Sequence, residues 1–126
     1  MPAQPPRLKF GRAMRIKQGR DFSRVRNEGR RLVYGCLIAN WRKLPSETTH
    51  RLGLVTSGKI GNAVIRNRAR RLLREAFRRH QHDFLQPVDL VLVARNSIVD
   101  KEFAGVEKDF LTILRKAGLL AQAQPQ

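Results

Sequence analysis

The run Lys59-Ile60-Gly61-Asn62-Ala63-Val64-Ile65-Arg66-Asn67-Arg68, with its continuation to Arg79, constrains this chain more than any other stretch. Between Arg66 and Arg79 stand seven arginines (Arg66, Arg68, Arg70, Arg71, Arg74, Arg78 and Arg79) and a single acid, Glu75. At about 100° per residue, Ile65, Ala69, Leu72, Leu73, Ala76 and Phe77 fall in one arc of roughly 140°. Arg68, Arg70, Arg71, Arg74, Arg78 and Arg79 fill most of the opposite arc. The spacing therefore predicts a helix with one face in a core and the other a positive stripe. Arg66, Asn67 and Arg68 lie near its start and splay around the axis.

A face made only for solubility mixes signs, with Glu four residues from Lys or Arg. This one has almost no acid, so its cations repel one another unless an anionic partner neutralises them. Arginine's planar fork also suits bidentate phosphate contacts. The whole chain agrees: 126 residues carry 26 Lys and Arg against 10 Asp and Glu, a formal charge of +16, while 41% of residues are hydrophobic. That combination fits one folded domain with a modest core and a nucleic-acid partner. It argues against an enzyme acting alone on a neutral ligand. Binding should weaken steeply with salt, with a log–log slope of about −0.9 per phosphate neutralised on a duplex.

The single cysteine, Cys36, lies in an apolar run. It excludes a disulfide within the chain and a cysteine-based metal site, and reads as a small buried hydrophobe. No apolar run approaches the ~18 residues of a membrane span. The N-terminus lacks a signal-peptide core, so a cytoplasmic protein is expected.

Residues 1–13 are expected to be a disordered basic tail, 14–118 the folded domain, and 119–126 a flexible tail. Gly19 to Glu28 predicts a short helix, with Asp21 favouring its start and Gly29 its stop. Arg31 to Trp41 predicts a well-covered strand, with room for one more short strand inside it. Tyr34–Trp41 and Arg51–Thr56 are expected to pair antiparallel across the polar connection Lys43 to His50. Ser57 to Asn62 predicts a glycine-bearing turn with Asn62 as N-cap of the arginine helix. Backbone amides there suit a phosphate. It is not a nucleotide-triphosphate loop, because no Ser or Thr follows Lys59 where one is required. His80 and His82 are read as structural or solvated, since nothing nearby completes a metal set. Val88 to Ala94 is the clearest buried strand. Asp100 to Ala117 predicts a helix whose Phe103, Val106, Phe110 and Ile113 or Leu114 form a core stripe. Strand, helix, strand implies a parallel βαβ unit. The fold class is α+β: a single domain with helices on a small mixed sheet.

Lys59 to Arg68, continued by Arg70-Arg71-Leu72-Leu73-Arg74-Glu75-Ala76-Phe77, resembles the protein subunit of bacterial ribonuclease P. Arg15, Asp21-Phe22, Val25, Arg51-Leu52-Gly53-Leu54-Val55 and Val91-Leu92-Val93-Ala94-Arg95 are similar to that family in content and order. The resemblance spans roughly Met14 to Gly118. It implies the order αβββαβα around a four-stranded sheet, as in the second domain of a ribosomal small-subunit protein, with a left-handed βαβ crossover. General chirality would have favoured a right-handed one.

The resemblance further implies a cofactor for a catalytic RNA that removes the 5′ leader of precursor tRNA and leaves a 5′-phosphate. Mg²⁺ would be held mainly by the RNA subunit. One protein would bind one RNA subunit. Catalytic residues and metal ligands are expected in the RNA, and none in the protein. The expected RNA contacts are Lys59, Asn62, Arg66, Asn67, Arg68, Arg70, Arg71, Arg74 and Arg78. The expected leader-binding cleft holds Arg15, Phe22, Arg26 and Tyr34, where an aromatic suits unstacked bases.

Three positions depart from the family. Gly58 stands where a basic residue is more common, Ala69 where a larger aliphatic is usual, and Arg26 where an aromatic is common. The alternative is a non-enzymatic RNA-binding module, since Gly58-Lys59-Ile60-Gly61 has the G-x-x-G spacing of a KH loop. Arg-Asn-Arg after that loop does not fit KH domains. A DNA major-groove helix lacks a preceding helix-turn-helix partner. A self-sufficient nuclease lacks a catalytic set.

Overall fold

A computed structural model describes residues 14–17 and 19–121. Three α-helices and four strands follow in the order α1 (Gly19–Glu28), β1 (Arg30–Tyr34), β2 (Leu37–Lys43), β3 (Arg51–Val55), α2 (Ala63–His80), β4 (Val88–Ala94) and α3 (Phe103–Lys116). Short 3-10 turns, Gly58–Ile60 and Asn96–Asp100, precede α2 and α3. The sheet order is β1-β2-β4-β3. β1 with β2 and β2 with β4 are antiparallel, and β3 with β4 is parallel.

The expected antiparallel pairing of Tyr34–Trp41 with Arg51–Thr56 is not what forms. The apolar run instead breaks at Gly35 and Cys36 into a hairpin with a two-residue turn, placing Tyr34 opposite Leu37. Gly35 has φ +57° and no other residue type has positive φ among the described residues, the pattern of a type II′ turn. The carboxylate of Asp109 fills the space a side chain at 35 would need and accepts the Cys36 N–H at 3.0 Å. β2 then lies against β4. The chain leaves β2 through a polar connection and enters β3 on β4's far side. β4 belongs between them because Val88 to Leu92 are all buried, as a strand covered on both faces must be.

Alternation sends Leu37, Ala39 and Trp41 of β2, and Leu90, Leu92 and Ala94 of β4, into the main core with Leu73 and Phe77 of α2 and Phe110 and Ile113 of α3. On the opposite face, Val25 of α1 and Ile16 close over Val91, with Phe22, Val55 and Val93 around them. The sheet is thus sandwiched unequally: α2 and α3 cover one face, and α1 covers part of the other.

The folded part runs beyond Gly118, where a tail was expected. Leu119 and Leu120 are buried, and Leu120 bridges to Phe84. Gly118, at φ +77°, turns the chain back, and the Leu119 N–H reaches the Leu114 carbonyl at 2.9 Å. Two leucines after the helix stop find an apolar seat beside the segment that follows α2. Residues 122–126 and 1–13, the remaining expected tails, lie outside the described residues.

Candidate RNA interface

Helix α2 begins as its sequence dictates. Asn62 Oδ1 accepts the Ile65 N–H at 3.0 Å, and Ser57 caps the preceding 3-10 turn. Ala69, Leu73, Ala76 and Phe77 are buried, so the apolar stripe locks the helix rotation. That rotation turns Asn67, Arg71 and Arg79 to solvent and leaves Arg66, Arg68, Arg70, Arg74 and Arg78 half-exposed. Lys59 and Asn62 are exposed at the same end. The positive helix terminus and these cations reinforce one another there.

The arginines are not equivalent. Arg68 donates to the carbonyls of Lys101 at 2.6 Å and Val99 at 3.4 Å, tying α2 to the approach to α3. Arg78 and Arg79 both clasp Glu75. Those hydrogen bonds hold the Glu75 carboxyl down to about 2. Arg66 and Arg74 keep shielded Nε atoms with no acceptor among the described residues. Burial, with Arg15 and Arg70 nearby, lowers the pKa of Arg74. The outer end of α2 is therefore partly self-neutralised by Glu75, which does not reach Arg66, Arg70, Arg71 or Arg74 in any ion pair.

The other face of the sheet carries a cleft of about 440 Å³ lined by Phe22, Arg26, Asn40, Val55, Val91 and Val93. It exists because α1 leaves part of that face uncovered and because Gly53 has no side chain. A Cβ at Gly53 would come within 2.6 Å of the Phe22 ring. The cleft is open and mostly apolar, with exposed Arg26 at its rim and Asn40 of β2 as a polar group on its floor. An unstacked base fits such a lining. Asn40 escaped the sequence reading, though a lone polar residue in an apolar strand was its signal.

Two of the four residues assigned to this cleft stand elsewhere. Tyr34 belongs to the even-numbered side of β1, so alternation points it at α3, where Lys116 Nζ sits 4.6 Å from its ring centre. Arg15 bridges to Leu52 on the outer edge of β3 and shares a small hollow with Arg70 and Arg74. It extends the α2 cationic surface around the sheet edge. Phe22 and Arg26 share the cleft.

Below the arginine helix, His80 bonds Asp83 at 3.0 Å and Glu107 at 2.9 Å. Among the described residues no group of three His, Cys, Asp or Glu side chains could hold a metal ion. Cys36 is fully buried, and burial pushes its thiol up to about 12, which removes it as a nucleophile. No described helix is long and apolar enough to cross a membrane. Among the described residues two surfaces stand out, one cationic and one apolar with a cationic rim.

A family model described as Ribonuclease P matches residues 10–118. The ribonuclease P protein component of Syntrophomonas wolfei is 41% identical over 108 residues, covering 86% of this chain and 90% of that one. That of Gluconacetobacter diazotrophicus is 38% identical over 109 residues, covering 86% and 94%. The RNase P protein of Staphylococcus aureus superposes with a TM-score of 0.78 at 29% identity, over 86% of this chain and 99% of that one. The RNase P protein of Thermotoga maritima gives a TM-score of 0.71 at 29% identity, over 81% and 96%. Sequence and fold converge on the arginine helix and the sheet that holds it: the chain belongs to the ribonuclease P protein family, the protein component of a ribonucleoprotein whose RNA carries the catalysis.

Proposed function

We propose that the two surfaces divide the work of RNA recognition. The face of α2, from Lys59 and Asn62 through Arg66, Asn67, Arg68, Arg70, Arg71 and Arg74, docks on phosphates of the ribonuclease P RNA. Arg15 joins this surface from the edge of β3. The cleft of Phe22 and Arg26 takes the single-stranded 5′ leader of precursor tRNA, with Phe22 stacking a base and Arg26 meeting a phosphate. One protein serves one RNA subunit, in the cytoplasm.

The observation that carries this reading is the locked rotation of α2. Its buried stripe leaves the helix no way to turn its arginines inward, and the helix itself carries one acid, Glu75, which Arg78 and Arg79 clasp. Such a surface repels itself until an anion neutralises it. The separate cleft gives a second strand its own path, so that substrate and ribozyme need not compete.

Mg²⁺ is assigned to the RNA. Glu75 of α2 is already engaged by arginines, and Asp83 and Glu107 by His80 at its C-terminal end, so these three do not fit a magnesium site. The protein's part is positioning, which supplies effective concentration at the scissile phosphate.

Reconstitution tests the whole reading. The chain alone should leave precursor tRNA intact, yet lower the Mg²⁺ or substrate concentration that a bacterial ribonuclease P RNA needs. Cleavage by RNA-free protein, or no effect on that ribozyme, overturns it.

A further inference from the structure

Between α2 and the start of α3 lies a groove of about 570 Å³ whose lining the phosphate reading does not explain. Arg68, Arg71 and Arg74 stand along it, but its walls include Leu72 and Phe103. Both apolar residues are only partly buried against the core. The spacing of α3 assigns Phe103 to the buried stripe, yet its position at the first turn leaves it at the mouth of this groove. A surface that met phosphates alone would have no use for an apolar wall between its arginines.

The groove is also held in shape before any partner arrives. Arg68 is fixed by the Val99 and Lys101 carbonyls. The Arg79 guanidinium lies 4.7 Å from the centre of the Phe103 ring and is anchored in turn by Glu75. Glu75 lines the groove too, but Arg78 and Arg79 neutralise it, so the local field stays positive. An apolar slot with fixed walls, set in a cationic field, matches a nucleobase with its flanking phosphates.

We propose that this groove seats one unpaired base of the ribonuclease P RNA, packed against Leu72 and Phe103, with the adjoining phosphates on Arg71 and Arg74. The proposal rests on the reading of α2 as the RNA-subunit face and adds a base contact to it. α2 then fixes the RNA's register as well as attracting it, because a base pocket accepts a nucleotide only where the RNA leaves one unpaired.

The test uses the full chain and a transcribed bacterial ribonuclease P RNA. Phe103→Leu keeps an apolar side chain but removes the ring; Phe103→Tyr keeps the ring. Phe103→Leu should lose about tenfold in affinity with no change in the salt slope, since no phosphate contact is lost. Phe103→Tyr should bind like the parent. Chemical probing should show one unpaired base protected by the parent and by Phe103→Tyr, and reactive with Phe103→Leu. Parent-like affinity and protection with Phe103→Leu overturn the proposal, as does a changed salt slope, which would mean that the ring acts only through its arginine neighbours. Thermal melting of both variants identifies a loss due to unfolding. If Phe103→Leu unfolds, the protected base must persist with Phe103→Tyr and vanish with Leu72→Ala, and its persistence with Leu72→Ala overturns the proposal. Failure of the parent to bind the RNA at all would instead strike the reading beneath it.

Discussion

Gly53 and Phe22 approach so closely across the outer face of the sheet that a Cβ on Gly53 would lie 2.6 Å from the ring's Cε1. The apolar wall of the cleft therefore depends on a missing side chain in β3. Gly53→Ala should push the Phe22 ring out of place. Affinity for precursor tRNA with a leader should fall several-fold toward that of leaderless tRNA, while affinity for the RNA subunit stays unchanged. Comparing the two substrates in the reconstituted holoenzyme checks this; equal losses on both would show that the damage spreads beyond the cleft.

Arg51 and Asp89 pair across β3 and β4 through two hydrogen bonds of 2.8 Å each, with Asp21 of α1 3.6 Å away. The pair ties α1 to the sheet. The Asp89 hydrogen bond also raises the pKa of Arg51, so its charge persists. The partners differ in burial: Asp89 is 1% exposed at the side chain and Arg51 31%. Arg51→Leu strands a buried carboxylate and should cost about 3–5 kcal/mol. Asp89→Asn leaves a cation that water can reach and should cost less. Urea unfolding of both variants measures the asymmetry, and equal costs would contradict it.

Arg68 and Arg71 should separate stability from binding. Arg68→Ala removes two charged hydrogen bonds to the Val99 and Lys101 carbonyls and should cost about 1.5–3 kcal/mol of stability as well as RNA affinity. Arg71 is exposed, and Arg71→Ala should stay within about 0.5 kcal/mol of the parent while its RNA salt slope falls by about one phosphate's worth. Melting curves and salt titrations of the two single variants decide it. A double variant alone would mix the effects.

His50 predicts a pH dependence. Its Nδ1 accepts the Val88 N–H at 3.3 Å, and its ring lies 4.7 Å from that of Phe84. Burial lowers its pKa from the ordinary 6.5, a backbone hydrogen bond at Gln81 opposes that shift, and His82 adds to it. The folded state thus prefers the neutral ring. The associated stability is complete above about pH 6.5 and is lost as pH falls through the depressed folded value. Protonated Nδ1 could no longer accept from Val88. The melting temperature of the parent should drop between pH 7.5 and 5 by more than that of His50→Gln. A parallel decline in both would remove His50 as the cause.

Much of this protein was legible residue by residue. The 3.6-residue apolar period placed α2, Asn62 as its cap followed from side-chain chemistry, and the continuous apolar run marked β4 as a buried strand. α1 runs over the same residues, Gly19 to Glu28, that Asp21 and Gly29 suggested. These features are local: each depends on neighbours within a turn or two of chain. The order of strand, helix and strand made the parallel pairing of β3 with β4 legible, but the partners of β2 were not. One glycine in an apolar run hid a hairpin, and the choice between β3 and β4 as neighbour of β2 rests on contacts that join distant parts of the chain. Tyr34, placed in the leader cleft by resemblance, instead faces α3. A one-residue change in register moves a strand side chain to the other face, and the register was set by the turn at Gly35.

By itself the sequence determined which helix would be cationic, which of its faces would be buried, and that its partner would be polyanionic, because periodicity and charge are properties of the string. The tertiary structure alone decided which arginines are spoken for. Arg68 is bound to carbonyls some thirty residues away, Arg15 joins Arg70 and Arg74 across a sheet edge, and Phe103 reaches the arginine groove from another helix. Those meetings depend on how the elements pack in three dimensions, and no local pattern in the chain encodes them.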